Sequence, residues 1–392
     1  MDSRRIELIP NTYTEDDGYL CNGSPEPTKR SEDIQLWHDR LRWRVKVTFK
    51  GCNGISSRKN KAKRRASLES LIFLIDFDSI PLINDTVTEL VVEEKNILSR
   101  GPLLPLKAKS LSSAGSDTVT EVHSSWTYTV QEDDTRVRYL PFKKYSTLPY
   151  KAVTEMDVTR KISGCVYLIR SGGSLYIYKS IERPFYRPYD STTFELELNI
   201  LLELQGRSNI AQLKCLVVSP SPYLTDVDAS EVGVIRGMLL EFYPCGTLED
   251  AIEQRDGRED SWRVWPKQIA MALLAMHRRG ITHMDLAPRN VVLNEDHEAV
   301  LIDIGVGFTH ELLAPEIRLE LDPLGLPFET RCLQDVWSFG KLLLQLSNLD
   351  TEGVFGDHLR LLGGQLCKED PCSRMTLLEA VELLQTFQKD KF

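Results

Sequence analysis

The chain has 392 residues, with 48 Lys and Arg against 57 Asp and Glu, so its net charge is −9. This length favours two or three domains, and a hydrophobic content of 42% is that of an ordinary globular chain. The acidic balance argues against a protein that coats DNA or RNA, so no nucleic-acid partner is expected. No stretch approaches the ~18 apolar residues of a membrane span, and no secretory signal is expected at the start.

The eight cysteines are scattered and form neither a CxxC pair nor a His/Cys cluster, which predicts reduced thiols and no zinc site. We therefore expect an intracellular protein. A basic run from Arg58 to Arg65 carries six cations in eight residues. This run is equally consistent with a nuclear-import signal and with a solvated loop, so the sequence leaves both cytoplasmic and nuclear locations open.

The first part of the chain divides into two predicted regions. Residues 1–34 are polar and rich in turn formers, which predicts mostly disorder. Residues 35–145 predict a β-rich extension of unknown function. Within it, residues 43–50 alternate apolar and polar side chains, as a half-buried strand does, and residues 71–75 and 90–92 favour further short strands.

The remainder, residues 146–392, changes from strands to helices along the chain. Residues 166–181 predict two strands joined by a Gly172-Gly173 turn, and residues 266–278 predict a helix with Pro266 in its first turn. Strands followed by helices indicate an α+β domain with two lobes. We place the β-rich N-lobe at about 146–243 and the helical C-lobe at about 244–392.

The stretch from His283 to Gly305 carries the most chemistry. Asp285 and Asn290 lie five residues apart, and Asp303 follows a short apolar strand. Phosphoryl transfer uses one carboxylate to orient the acceptor hydroxyl, and a second carboxylate with an amide oxygen to hold Mg²⁺ against the phosphates. This set of residues therefore points to a phosphotransferase.

These motifs resemble those of the eukaryotic protein kinase family. His283-Met284-Asp285-Leu286-Ala287-Pro288-Arg289-Asn290 resembles the family's catalytic loop, and Asp303-Ile304-Gly305 resembles its metal-binding motif. The resemblance covers about residues 157–392. It implies a two-lobed kinase fold and Mg²⁺-dependent transfer of the ATP γ-phosphoryl group to a protein substrate.

The resemblance also implies roles for individual residues. Asp285 would be the base, Arg289 would stabilise charge, and Asn290 and Asp303 would bind Mg²⁺. Lys179 would hold the ATP phosphates and Glu197, 18 residues on, would orient it. The nucleotide would lie against Gly164, Val166, Ile177, Lys179, Glu241, Tyr243 and Val292.

Two further landmarks of the family would support the catalytic loop. Asp335, in Asp335-Val336-Trp337-Ser338-Phe339-Gly340, would accept backbone N–H bonds from that loop. Glu316, in Ala314-Pro315-Glu316, would form a buried ion pair with Arg374. The sequence does not distinguish Ser/Thr from Tyr acceptors.

The sequence departs from the family at its glycine-rich loop, where residues 159–166 retain only Gly164 and Val166. This departure keeps open a pseudokinase that binds nucleotide, or serves as a scaffold, without catalysis. A small-molecule phosphotransferase is a further alternative, since such enzymes share the Asp285, Asn290 and Asp303 pattern and have a short segment after the metal-binding Asp.

Overall fold

A computed structural model describes residues 5–16, 19–21, 24–51, 61–95, 101–107, 126–182, 186–228, 233–254, 261–350 and 353–389. The chain forms two compact units. Unit 1 comprises Met1–Tyr145, Glu182–Pro188 and Ser219–Val234, and unit 2 comprises Ser146–Ile181, Tyr189–Val218 and Ile235–Phe392. The domain assignment from sequence differs in two respects, because it separated residues 1–34 from 35–145 and placed 182–188 and 219–234 with the kinase-like region.

Unit 1 is a mixed β-sheet with one helix. Its elements are β1 (Arg5–Leu8), β2 (Thr14–Glu15), β3 (Tyr19–Cys21), β4 (Ser24–Glu26), β5 (Lys29–His38), β6 (Leu41–Lys50), α1 (Lys61–Leu74), β7 (Val87–Glu94), β8 (Trp126–Glu132) and β9 (Leu140–Pro141). The main sheet has the order β1-β5-β6-β7-β8, with β2 also paired to β5. Strands β6 and β7 are parallel and α1 lies between them in the chain, as a parallel pair requires a long crossover.

The sequence prediction of a strand at residues 71–75 was wrong, because helix α1 occupies this segment. Leu68, Leu71 and Ile72 are its buried residues and recur at helical spacing. They pack in one core cluster with sheet residues that include Val47 and Leu90. The run from Leu71 to Ile75 read by itself suggests a strand, and only the apolar position one turn earlier, at Leu68, reveals the helical period.

The prediction of disorder for residues 1–34 also differs from the structure. Strand β1 pairs antiparallel with β5, bringing Ile6 opposite Leu36 across 30 positions of sequence. Ile6, Leu8 and Tyr13 pack against the core of unit 1. The segment is ordered by a distant partner, which local composition does not reveal. Residues 22–23, within the turn-rich stretch that suggested disorder, lie outside the described residues.

Strand β6 is buried on both faces over 45–49, although alternation predicted one solvated face. On the polar face, the Lys46 ammonium donates to Asp133 Oδ1 and to Thr135 Oγ1, both at 3.0 Å. The Thr48 hydroxyl donates to Glu89 Oε1 at 2.6 Å. Buried charged groups require such partners, so this face is a hydrogen-bonded network.

Part of the basic run lies on helix α1, where two of its arginines are paired with carboxylates. Arg64 makes two bonds to Glu15, at 2.7 and 2.8 Å. Arg65 lies 2.8 Å from Glu69 and 2.8 Å from Glu32. Arg58, Lys59 and Asn60 lie outside the described residues.

Unit 2 begins with strands and continues with helices, which is the predicted α+β arrangement. Its elements are β10 (Tyr150–Ala152), β11 (Asp157–Ser163), β12 (Val166–Ser171), β13 (Ser174–Ser180), α2 (Asp190–Glu203), β14 (Leu213–Ser219), β15 (Val234–Glu241), α3 (Leu248–Glu253), α4 (Trp265–His277), β16 (Val291–Leu293), β17 (Ala299–Leu301), α5 (Phe328–Leu346), α6 (Val354–Leu366) and α7 (Leu377–Lys389). Strands β10 to β15 form one sheet in the order β10-β14-β15-β13-β12-β11.

The turn and the helix ends that the sequence predicted in unit 2 are present in the structure. Gly172 and Gly173, with φ of 56° and 85°, form the predicted two-residue turn between β12 and β13. Pro266 lies in the first turn of α4, and Gly280, with φ of 72°, follows its end. The helices share a core that includes Ile269, Leu273 and Phe339. Among the described helices, none is both long and apolar enough to cross a membrane.

Candidate active site

A half-buried lysine joins three elements of unit 2. The Lys179 ammonium, on β13, donates to Glu197 Oε1 of α2 at 2.5 Å and makes a short contact with Asp303 Oδ1 after β17. All three residues were predicted from the sequence. The structure brings them together although 124 positions of chain separate Lys179 from Asp303.

The electrostatics of this group keep the lysine charged. Burial favours neutral Lys179, but Glu197 and Asp303 outweigh that effect and raise its pKa. Burial raises the pKa of Glu197 more than Lys179 lowers it. Burial would also raise the pKa of Asp303, yet the charge and hydrogen bond of Lys179 more than offset this and the pKa is lowered. Asp303 is therefore ionised and presents a charged oxygen ligand.

The predicted base, Asp285, is held in place by its own loop. Asn290 Nδ2 donates to the Asp285 carbonyl oxygen at 2.7 Å and to Asp285 Oδ2 at 2.9 Å. Arg289 Nη2 donates to the same Oδ2 at 2.9 Å. Asp285 Oδ1 is buried and has no hydrogen-bond partner among the described residues. One carboxylate oxygen is thus fixed, and the other is available for a substrate hydroxyl.

Thr309 belongs to this group, although it was not among the predicted site residues. Its hydroxyl accepts a hydrogen bond from Arg289 Nη2 at 2.7 Å, so the guanidinium bridges Thr309 and Asp285. Thr309 lies 24 residues after Asp285 in a segment without regular structure. The sequence around Arg289 does not predict its contact with Thr309, which is seen only in the folded structure.

The residues predicted to bind Mg²⁺ have suitable oxygens. Asn290 directs both hydrogen bonds of its amide nitrogen to Asp285, which leaves its amide oxygen for a cation. Asp303 uses Oδ1 for Lys179 and retains Oδ2. No group of three or more His, Cys, Asp or Glu that could hold a metal ion occurs among the described residues. Two protein ligands nevertheless fit Mg²⁺, because this ion is commonly held by few carboxylates together with water and phosphate oxygens.

The register of the sheet places several predicted nucleotide residues on one face. Val166 pairs with Lys179 and Leu168 with Ile177, so Val166, Ile177 and Lys179 share a face. Gly164 forms the tight turn before Val166, with φ of 26°. The two positions where the family carries its other glycines lie within β11, which continues to Ser163.

Three predicted nucleotide residues lie outside that hairpin. Glu241 ends β15, where its N–H donates to the Gln212 carbonyl at 3.0 Å and its carboxylate lies 2.8 Å from Lys214. Tyr243 follows this strand, and burial together with the nearby Glu241 raises the pKa of its hydroxyl. Val292 pairs with Val300 in the β16–β17 hairpin.

Asp335 supports the catalytic loop from beneath, as predicted. Its fully buried carboxylate accepts the backbone N–H groups of His283 and Met284, both at 2.8 Å, and lies 2.9 Å from His277 Nε2. Met284 has a φ of 68°, a left-handed conformation that is costly for a residue with a Cβ. The bonds to Asp335 stabilise this bend, which carries the chain into Asp285.

The predicted ion pair between Glu316 and Arg374 is also present. Arg374 Nη1 and Nη2 donate to the two carboxylate oxygens at 2.6 and 2.8 Å. The Arg374 side chain is fully buried and its guanidinium lies 5.0 Å from the centre of the Trp337 ring. Such a bidentate pair connects the segment after Asp303 to the helices of unit 2.

Comparisons with known proteins agree with this geometry. Residues 162–314 match the family model described as the protein kinase domain. The chain is 37% identical over 125 residues to maternal embryonic leucine zipper kinase of Danio rerio, covering 28% of this chain and 18% of that protein. It is 36% identical over 109 residues to mitogen-activated protein kinase kinase kinase 17 of Arabidopsis thaliana, covering 25% and 29% respectively.

A third relative is serine/threonine-protein kinase Kist of Rattus norvegicus, 28% identical over 172 residues, which covers 39% of each chain. The chain thus spans less than two fifths of the length of each of these relatives. The family match, together with the arrangement of Lys179, Glu197, Asp285 and Asp303, defines the class: this chain contains a domain of the protein kinase family.

We expect Asp335→Asn to destabilise the protein by about 2–4 kcal/mol, because an amide cannot accept both backbone N–H bonds and leaves one buried donor unpaired. Thermal unfolding followed by circular dichroism would measure the loss. Asp296→Asn, in the exposed turn between β16 and β17, is the matched control and should unfold like the wild type. Equal midpoints for all three proteins would contradict the role of Asp335.

The second expectation concerns His283, whose ring nitrogens are buried without a hydrogen-bond partner among the described residues. Burial lowers the pKa of His283, so the unfolded chain takes up its proton more readily than the folded one. Stability should therefore fall as the pH drops below about 6.5, the usual value for His.

Urea unfolding at pH 8, 6.5 and 5 would measure this effect. His283→Phe keeps an aromatic ring and removes the proton, so between pH 8 and pH 5 it should lose less stability than the wild type, by up to about 2 kcal/mol. Parallel stability profiles for the two proteins would show that His283 does not contribute to acid sensitivity.

Proposed function

We propose that this chain is an active protein kinase, transferring the γ-phosphoryl group of ATP to a protein hydroxyl with Mg²⁺. The observation that carries the proposal is Lys179, held between Glu197 and Asp303 in the position that a phosphate-binding lysine needs. The relative named as a serine/threonine-protein kinase supports Ser or Thr as the acceptor. An intracellular location remains part of the proposal, on the sequence arguments given above.

The roles follow from the free atoms of the site. Lys179 would bind the phosphates, with Glu197 fixing the position of its ammonium. Asp285 Oδ1 would accept the hydrogen bond of the acceptor hydroxyl. It would take the hydroxyl proton as the new O–P bond forms and the bond from the γ-phosphorus to the bridging oxygen breaks, which releases ADP. Asn290 and Asp303 would hold Mg²⁺, which neutralises phosphate charge when it is bound. Arg289, anchored by Thr309, would stabilise charge near Asp285.

The alternative is a pseudokinase that binds nucleotide without transferring phosphate. The observation in its favour is β11, where Thr159 and Lys161 replace two of the family's glycines and restrict how closely backbone can approach a phosphate. Against it, the polar groups that the chemistry requires are all present. The two functions differ in one measurable respect, because only the active kinase transfers the γ-phosphoryl group.

Asp285→Asn should reduce phosphoryl transfer by about 10²–10⁴-fold, since the amide cannot take the acceptor proton. Transfer from γ-labelled ATP to a panel of Ser-, Thr- and Tyr-containing peptides, and to the protein itself, would measure it with the full chain. Nucleotide binding should be retained, because Asp285 orients the acceptor and not the phosphates. Asp303→Asn is the comparison variant, which should also weaken Mg²⁺-dependent ATP binding measured by thermal shift.

The outcomes separate the two candidate functions. A wild-type protein that binds Mg-ATP and transfers nothing would favour the pseudokinase. A wild-type protein whose thermal midpoint does not respond to saturating Mg-ATP would contradict nucleotide binding altogether, since a ligand at 100 times its Kd stabilises by about 2.7 kcal/mol.

Thr309→Val should lower the transfer rate by about tenfold, because losing one hydrogen bond of roughly 1.5 kcal/mol frees the guanidinium that holds Asp285. Val has nearly the same shape as Thr, so the thermal midpoint should change little. Thr309→Ser retains the hydroxyl and should retain the rate. A Thr309→Val variant that transfers phosphate as fast as the wild type would show that the hydrogen bond to Arg289 does not contribute to the rate.

A further inference from the structure

Unit 1 contains a cavity of about 270 Å³ that phosphoryl transfer does not use. Four of its lining residues carry aromatic rings, three are aliphatic and one is acidic: Trp37, His38, Trp43, Phe77, Leu36, Ile80, Leu82 and Asp78. Strands β5 and β6 supply the two tryptophans, and the segment after α1 supplies Phe77 and Asp78. The cavity lies in a region for which the sequence predicted no function.

The two indole rings are anchored by their own N–H groups. Trp43 Nε1 donates to Asn84 Oδ1 at 2.8 Å, and Trp37 Nε1 donates to Glu7 Oε2 at 3.3 Å. Both rings are only partly buried. The aromatic surface is therefore positioned before any ligand arrives, which lowers the entropy cost of binding.

The negative charge at the cavity favours a cationic ligand. Asp78 is exposed and lines the cavity. Glu7, which accepts the Trp37 N–H, is paired with Arg5, and Asp39 lies 3.7 Å from His38, so Asp78 provides the negative charge at the cavity. Aromatic faces attract cations through their quadrupole, most strongly where the cation is weakly hydrated, as a methylated ammonium is. A purely apolar occupant would gain nothing from the Asp78 carboxylate and would remove water from it.

The Asp78 carboxylate also distinguishes between two ligands that carry a methylated ammonium, a phosphocholine headgroup and a trimethylated lysine. A phosphocholine headgroup carries a phosphate close to its ammonium, and the Asp78 carboxylate would repel that phosphate. A trimethylated lysine in a protein has no such neighbour, and its single side chain suits a cavity of this size. We propose that this cavity binds the trimethylammonium group of a trimethyllysine side chain on a partner protein.

The test is a binding titration on the full chain, followed by tryptophan fluorescence and by calorimetry. Three peptides share one sequence and differ at a single side chain, which ends in a trimethylammonium, an unmodified ammonium or a neutral tert-butyl group. The trimethylammonium peptide should bind about tenfold more tightly than the tert-butyl peptide, because cation–π attraction is lost in the neutral isostere. Equal affinity of these two peptides would reduce the site to an apolar pocket and overturn the proposal.

Two variants connect the binding to the cavity. Trp43→Leu should abolish trimethylammonium binding, and Asp78→Asn should weaken it several-fold while leaving the tert-butyl peptide unaffected. Asp78 is exposed, so its variant decides the matter if Trp43→Leu fails to fold. Asp134→Asn, an exposed acid that does not line the cavity, is the matched control and should bind like the wild type.

The remaining outcomes would overturn the proposal. These are no binding of the trimethylammonium peptide, tighter binding of the unmodified lysine peptide, tighter binding of phosphocholine than of the peptide, or an Asp78→Asn variant with unchanged affinity. Phosphoryl transfer does not enter the measurement, so failure here would leave the proposed kinase activity untouched.

Discussion

The burial of the Lys179 charge is the constraint on which the candidate active site depends. An ammonium removed from water is stable only if carboxylates compensate for the lost hydration. Glu197 and Asp303 provide this compensation from α2 and from the loop after β17. A single cation therefore couples the sheet, the helix and the loop after β17, and any movement that separates them leaves an uncompensated charge.

A buried carboxylate also fixes the loop that contains Asp285, but there it pairs with backbone N–H groups and not with a lysine. Met284 adopts a left-handed conformation, and its N–H and that of His283 point to the buried Asp335 carboxylate. The strain of the bend is small beside the cost of leaving those donors unpaired. The loop then continues to Asp285, where Asn290 and Arg289 restrain one carboxylate oxygen and leave the second for chemistry.

Unit 1 shows how buried polar groups can shape a domain. Its sheet is covered on one face by α1, and the Lys46 and Glu89 side chains on the other face are buried in hydrogen-bonded groups. At the end of strands β5 and β6, two tryptophans are held by their N–H groups around a cavity with an acidic residue. The buried polar face relies on the pairing of β6 with the distant strand β7, whereas the two tryptophans lie on the adjacent strands of the β5–β6 hairpin.

The sequence by itself determined the local elements and the identity of the chemical groups. Local patterns were predictable because they depend on neighbours within a few residues of the chain. They are the Gly172-Gly173 turn, the ends of α4 and the spacing of Asp285, Asn290 and Asp303. The partnership of Glu316 with Arg374 was predictable only because the family resemblance supplied it.

The tertiary structure alone decided what distant residues do to one another. Strand β1 is ordered by its pairing with β5, and residues 71–74 belong to α1, whose buried face is formed by Leu68, Leu71 and Ile72. Lys46 is buried because Asp133 compensates its charge. The contact of Thr309 with Arg289, and the meeting of Trp37, Trp43 and Asp78 at one cavity, belong to the same class. Burial and pairing free energies depend on which surfaces meet in three dimensions, and composition or periodicity along the chain does not encode that meeting.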